Sequence, residues 1–123
     1  MRIRTARPDD EAQWRGLWRG YTEFYDTHLP EHVTAATWRR IVAPEPAILC
    51  RFAEEQGRLL GFSHSLLHEG TFVQAPICYL EDLFVDPSAR TLPTLAHGKR
   101  RAAKARSCQS SRVMANQLGK DVH

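Results

Sequence analysis

Glu81 and Asp82 stand side by side inside Tyr79-Leu80-Glu81-Asp82-Leu83-Phe84-Val85, a run otherwise composed of apolar and β-favouring residues. Ionised side chains in such a segment are costly to bury unless they are paired or used. A carboxylate half-shielded from water is suited to moving a proton to or from a reacting group. Strict alternation along a strand puts Tyr79, Glu81, Leu83 and Val85 on one face, with Leu80, Asp82 and Phe84 on the other. The two carboxylates are thus expected on opposite faces, and Asp82 reads as structural. The competing reading of Glu81 is a carboxylate facing solvent or paired with an arginine.

The other candidate residues give less. His64 and His68 are four apart, which on a helix would suit a metal ion. On a strand they share a face but sit roughly 13 Å apart, too far for one ion. Cys50, Cys78 and Cys108 have no metal-like spacing. No metal site is expected. An odd cysteine count without a signal-like N-terminus fits a reduced, cytoplasmic chain.

The elements that must position Glu81 are legible from punctuation and period. Ile3 to Ala6 reads as a first strand. Pro8 suits the first turn of a helix, and Asp9, Asp10 and Glu11 favour its positive end. Trp14, Leu17, Trp18, Tyr21 and Tyr25 recur at helical spacing and form a stripe for core packing. Asp26 to Glu31 is a loop. Thr34 is a candidate cap for a second helix that carries Trp38, Ile41 and Val42 inward, ended by Pro44 and Pro46. Ala47 to Glu54 and Leu59 to His68 read as a hairpin around Gln56-Gly57, and Ile77 to Val85 as the next strand, ended at Asp86-Pro87-Ser88.

Composition changes abruptly after Arg90. The last aromatic is Phe84, and the three lysines, Lys99, Lys104 and Lys120, all follow Arg90. Residues 1–90 hold 10 Arg against 13 Asp and Glu, a net of −3; residues 91–123 hold 7 Lys and Arg against 1 Asp, a net of +6, and the two sum to the chain's +3. Ala96 to Ser107 has helical propensity but few apolar residues to bury. Gln109 to His123 shows no period and reads as loosely held. The basic tail has no aromatic for base stacking, which argues against nucleic acid as a partner. No apolar run approaches the roughly 18 residues of a membrane span.

The order of these elements, with Tyr79 to Arg90 and, more weakly, Leu59-Leu60-Gly61-Phe62, resembles the N-terminal half of the GNAT superfamily of N-acetyltransferases. The resemblance covers residues 2–90. The Tyr-Leu-Glu-Asp-Leu-Phe-Val form is most similar to the branch with polyamine acetyltransferases and small histone-type acetyltransferases. It implies an α+β fold whose mixed, mainly antiparallel sheet carries two N-terminal helices and is incomplete at the C-terminus. Residues 1–90 would be the acetyltransferase-like domain and residues 91–123 a basic tail outside the family pattern.

The implied reaction is acetyl transfer from acetyl-CoA to a primary amine on a polyamine, another amino compound or a protein lysine. Glu81 matches the base. Leu83 and Val85 match the strand whose backbone holds the pantetheine arm, and Arg90 the first position of the pyrophosphate loop. Tyr25, Asp26 and His28 fall in the loop bordering the acceptor amine. The chain departs from the pattern after Arg90. Thr91 to His97 contains no glycine, Pro93 removes a backbone donor, and no tyrosine follows Tyr79. That departure supports an alternative: a catalytically inactive partial domain persisting as a binding or self-associating remnant. An uncovered edge on the Ile77–Val85 strand would then favour a homodimer.

Overall fold

The computed structural model describes residues 1–89, the backbone of residues 101–104, and Met114. Strand β1 (Arg2–Thr5) leads through a 3-10 turn (Pro8–Asp10) into helix α1 (Glu11–Phe24) and helix α2 (Glu31–Val42). Strands β2 (Leu49–Glu55), β3 (Arg58–His68) and β4 (Ile77–Val85) follow, then a 3-10 turn at Pro87–Ala89 and strand β5 (Arg101–Lys104). The strands form one sheet in the order β1-β2-β3-β4-β5, and each described pairing is antiparallel. The α+β architecture expected from the sequence is the one observed.

A row of side chains across four strands fixes the helix-facing side of the sheet. Arg4 pairs with Phe52, Phe52 with Phe62, and Phe62 with Phe84. The Phe62 and Phe84 rings lie 6.2 Å apart, and the Arg4 guanidinium sits 5.9 Å from the Phe52 ring centre. Cross-strand aromatic pairs of this kind hold register as well as area. The α1 stripe packs onto the row: Trp14 is wholly buried, in contact with Trp38 of α2 at 5.0 Å between ring centres. The opposite face carries a second cluster of Ala53, Leu60, Leu80, Leu83, Val85 and Met114.

Two glycines permit close approaches to Phe84 of β4. A Cβ on Gly61 would meet the Phe84 carbonyl oxygen at 2.7 Å and the Val85 Cα at 3.1 Å. A Cβ on Gly20 of α1 would meet Phe84 Cζ at 2.8 Å. Phe84 is thus clamped between helix and neighbouring strand because neither contact residue has a side chain.

Three details differ from the sequence reading. Helix α2 starts at Glu31, three residues before Thr34, because the Pro30 carbonyl accepts from Val33 and Thr34 N–H at 3.0 and 3.3 Å. Residues 101–104 are extended, where helical propensity predicts helix. They pair with Ile77–Leu80 of β4, so that part of the strand is covered and does not provide the uncovered edge argued for dimerisation. The physical reason is that a sheet edge pairs with backbone groups of any sequence, and such pairing overrides weak propensity. Finally, β2 begins at Leu49, two residues after the expected Ala47, and its Cys50 is a free buried thiol. Arg90 and the expected loose segment from Gln109, apart from Met114, lie outside the described residues. Among the described residues, no helix is long and apolar enough to cross a membrane.

At the start of the domain, Arg4 bridges Asp10 through two bonds of 2.8 Å and reaches Glu54 at 2.9 Å. The Arg4 hydrogen bonds hold the Asp10 carboxyl below its usual range, against the opposing effect of burial, and the Arg7 N–H adds to them at 2.7 Å. A depressed folded pKa contributes stability that is present above the unfolded value of about 3.9 and is lost as pH falls through the folded value. Asp10→Asn is expected to flatten the acid limb of stability measured by urea denaturation below about pH 4; an unchanged limb would reject the linkage. Gly61→Ala is expected to cost about 1–3 kcal/mol in the same assay. An unchanged midpoint would contradict the packing of β3 on β4.

Candidate active site

The register of β3 with β4 breaks at the acidic pair. His64 pairs with Asp82, but the next residue, Ser65, pairs with Leu80, so Glu81 is the extra residue of a β-bulge. A bulge cancels simple alternation. Leu80 joins Leu83 and Val85 in the second cluster, while Glu81 and Asp82 both wall one cavity of about 230 Å³ on the helix side. The expectation that Asp82 faces away from Glu81 is therefore corrected. Trp18 of α1, Thr37 and Arg40 of α2, and His64 complete the part of that wall relevant to chemistry.

Asp82 is held by both oxygens. The Tyr21 hydroxyl donates to Oδ1 at 2.7 Å, and His64 Nδ1 lies 3.0 Å from Oδ2. On the other side of the ring, Trp14 Nε1 donates to His64 Nε2 at 3.0 Å. An indole N–H can only donate, so Nε2 must carry the lone pair, and the ring proton sits on Nδ1, donated to Asp82. The His64 side chain is 2% exposed and that of Asp82 18%. The chain Trp14–His64–Asp82 thus runs from the closed core to the cavity, with each donor matched to an acceptor. Burial, then the bond to Asp82, push the Tyr21 phenol up. Burial, then the Asp82 charge, do the same to Tyr25.

The remaining sequence candidates separate in space. Tyr25 closes α1 and meets Tyr21 edge-on at 5.1 Å, beside the acidic pair. Asp26 has φ +51° and terminates α1: its N–H bonds the Glu23 carbonyl at 3.0 Å, and Thr27 N–H bonds that of Thr22 at 2.9 Å. This left-handed turn stops the helix. His28 opens onto a different groove of about 310 Å³ beside α1, where Trp18 is the shared wall. Leu83 and Val85 are wholly buried, so only their backbone is placed to meet a ligand. His68 packs near Tyr79, with ring centres 6.2 Å apart, away from the Trp14–His64 contact.

Sequence reasoning missed Tyr21, His64, Asp82, Thr37 and Arg40 as members of one site. The available signal was polarity in apolar surroundings: His64 sits between Ser63 and Ser65 in the middle of a buried strand, and a buried imidazole needs partners.

A mainly antiparallel sheet with two N-terminal helices over one face is the α+β arrangement found in solved acetyltransferase structures. No protein-family model matches the chain. The D-amino-acid N-acetyltransferase HPA3 of Saccharomyces cerevisiae is 31% identical over 90 residues, covering 72% of this chain. The chain spans 56% of that relative's length. The crystal structure of a probable acetyltransferase superposes with a TM-score of 0.66 at 22% identity, over 99% of this chain and 76% of that one. AAC(6')-Iy, in complex with the bisubstrate analogue CoA-S-monomethyl-acetylneamine, gives 0.59 at 20% identity, over 98% and 74%. An aminoglycoside acetyltransferase from an uncultured soil metagenomic sample, in complex with sisomicin, gives 0.59 at 13%, over 98% and 73%. Over these 90 residues of sequence and over its described fold, the chain resembles N-acetyltransferases of the GNAT type.

The hydrogen-bond chain has a direct spectroscopic consequence. At neutral pH, ¹⁵N NMR of His64 is expected to show a protonated Nδ1 and an unprotonated Nε2. Two protonated nitrogens would reject the assignment. Trp14→Phe leaves Nε2 without its donor and is expected to cost about 1–3 kcal/mol in urea denaturation.

Proposed function

We propose that the chain is built to transfer an acetyl group from acetyl-CoA to a primary amine, with Glu81 as the base. The observation that carries this reading is the bulge, which turns Glu81 out of the strand ladder and into the cavity beside Asp82. An acceptor arriving as an ammonium ion gives one proton to Glu81, directly or through water. The freed nitrogen lone pair attacks the thioester carbonyl carbon, forming a C–N bond. The C–S bond then breaks, and the departing thiolate takes the second nitrogen proton, leaving an amide, CoA thiol and the proton on Glu81. Asp82, with both oxygens tied, stays in place as a second negative charge for the incoming cation.

The co-substrate would lie along the end of β4. The backbone at Leu83 and Val85 would hold the pantetheine arm, and Arg90 would meet the phosphates. The relative from yeast bears the name of a D-amino-acid N-acetyltransferase, one neighbour is an aminoglycoside acetyltransferase, and another was solved with the bisubstrate analogue CoA-S-monomethyl-acetylneamine. These support a small amino compound as acceptor over a protein lysine. After Arg90 the sequence has no glycine before Gly98, so it lacks the composition that lets successive backbone donors approach a pyrophosphate.

Two measurements test this reading. Glu81→Gln is expected to lower kcat about 10²- to 10⁴-fold at neutral pH, followed as release of CoA thiol; an unchanged rate removes Glu81 from the mechanism. Calorimetry is expected to give acetyl-CoA a Kd weaker than the low micromolar range, about −8 kcal/mol, because the phosphate loop is altered. Tighter binding would show that the segment after Arg90 replaces the glycine loop.

A further inference from the structure

The cavity that holds Glu81 and Asp82 also holds a cation. Arg40, in the last turn of α2, is on its wall, yet its described bonds are weak and stay within its own helix: 3.3 Å to Thr37 Oγ1 and 3.4 Å to the Ala36 carbonyl. Among the described residues it forms no ion pair, whereas Arg4, Arg15 and Arg58 each meet carboxylates. A basic residue near a helix C-terminus gains from the macrodipole. Arg39 shares that advantage and does not wall the cavity, so the dipole does not account for Arg40's place there. The bond to Thr37, which is buried and also on the wall, keeps the guanidinium at the rim.

The same wall includes Trp18, whose indole N–H is buried and has no acceptor among the described residues. One cavity wall therefore carries two carboxylates together with a guanidinium, a hydroxyl and an unsatisfied donor. An acceptor with an ammonium group alone would answer only the carboxylates. A polycation such as a polyamine would bring further positive charge against Arg40. A small zwitterion, with an amine and a carboxylate a few bonds apart, offers a partner to both kinds of charge.

We infer that Arg40 is a specificity-determining residue that binds a carboxylate of the acceptor, so that this site takes free amino acids in preference to simple amines or polyamines. The inference rests on Glu81 and Asp82 receiving the acceptor's amine. It adds the group that recognises the acceptor's other end.

The test is calorimetric titration of the full chain without acetyl-CoA, so that it does not depend on turnover. The probes are alanine in both enantiomers, ethylamine, propionate and spermidine. The better alanine enantiomer is expected to bind at least about tenfold tighter than ethylamine, propionate or spermidine, the increment of one charge-assisted hydrogen-bond pair. Arg40→Met, a change on an exposed helix surface, is expected to remove the preference and bring alanine down to the level of ethylamine on the same variant. Arg40→Lys is expected to keep part of the preference, since the charge remains without the two-pronged geometry. Ethylamine or spermidine binding as well as alanine would overturn the inference. So would a preference that survives Arg40→Met, or no alanine binding at all. Alanine binding through Arg40 without any CoA thiol release when acetyl-CoA is added would leave this inference standing and refute acetyl transfer. Thiol release with ethylamine but no effect of Arg40→Met would do the reverse.

Discussion

A single extra residue in β4 organises the rest of the molecule. Because Glu81 has no place in the ladder with β3, the strand turns over at that point. Residues beyond it, Leu83 and Val85, face one core, and Leu80 before it faces the same core instead of the opposite one. Without the bulge, only one of two neighbouring carboxylates would look toward the helices. With it, both do, and the strand presents two negative charges to one cavity. The cost of bringing them there is met by donors from two other elements: Tyr21 from α1 and His64 from β3.

Those donors are themselves fixed by the hydrophobic core. Tyr21 belongs to the helical stripe whose lower members, Trp14 and Leu17, are buried. His64 stands two residues from Phe62, their rings 4.5 Å apart, in the row that binds strand to strand. Trp14 serves both functions, filling the centre of the core and donating its one polar hydrogen to His64. Packing and polar satisfaction therefore cannot be varied separately here. The two glycines that let α1 and β3 close on Phe84 extend the same constraint, since they set how near the helix and the neighbouring strand come to β4.

The charge pattern separates structural from functional groups. Asp10 and Glu54 are taken up by Arg4, Glu11 and Glu31 by Arg15, and Asp86 by Arg58 and the Ser88 backbone. These pairs tie termini and turns to the sheet. Around the bulge the arrangement differs: Asp82 is bonded by Tyr21 and His64, and the described bonds of Arg40 stay within its own helix. Two carboxylates and a guanidinium thus line the same cavity, an arrangement the pairs at the termini and turns do not share.

How much of this was legible in the sequence follows from how far each determinant reaches. The stripe Trp14, Leu17, Trp18, Tyr21, the turn at Gln56-Gly57 and the strand Ile77–Val85 are local patterns, and each element formed within a residue or two of its expected place. The motif around Glu81 named the family for the same reason, being a contiguous string. Asp82 was misjudged because the face it occupies depends on pairing with β3, eighteen residues away, where one strand advances by two while its neighbour advances by one. The extended Arg101–Lys104 segment was misjudged because the β4 edge, and not its own propensity, decided its conformation. Tyr21, His64, Asp82 and Arg40 come from four elements, so no spacing along the chain records their meeting. Sequence alone determined the periods, the turns and the identity of the carboxylates. Only the tertiary structure decided which way they face and what stands opposite them, because facing is set by hydrogen-bond register and helix packing between distant segments.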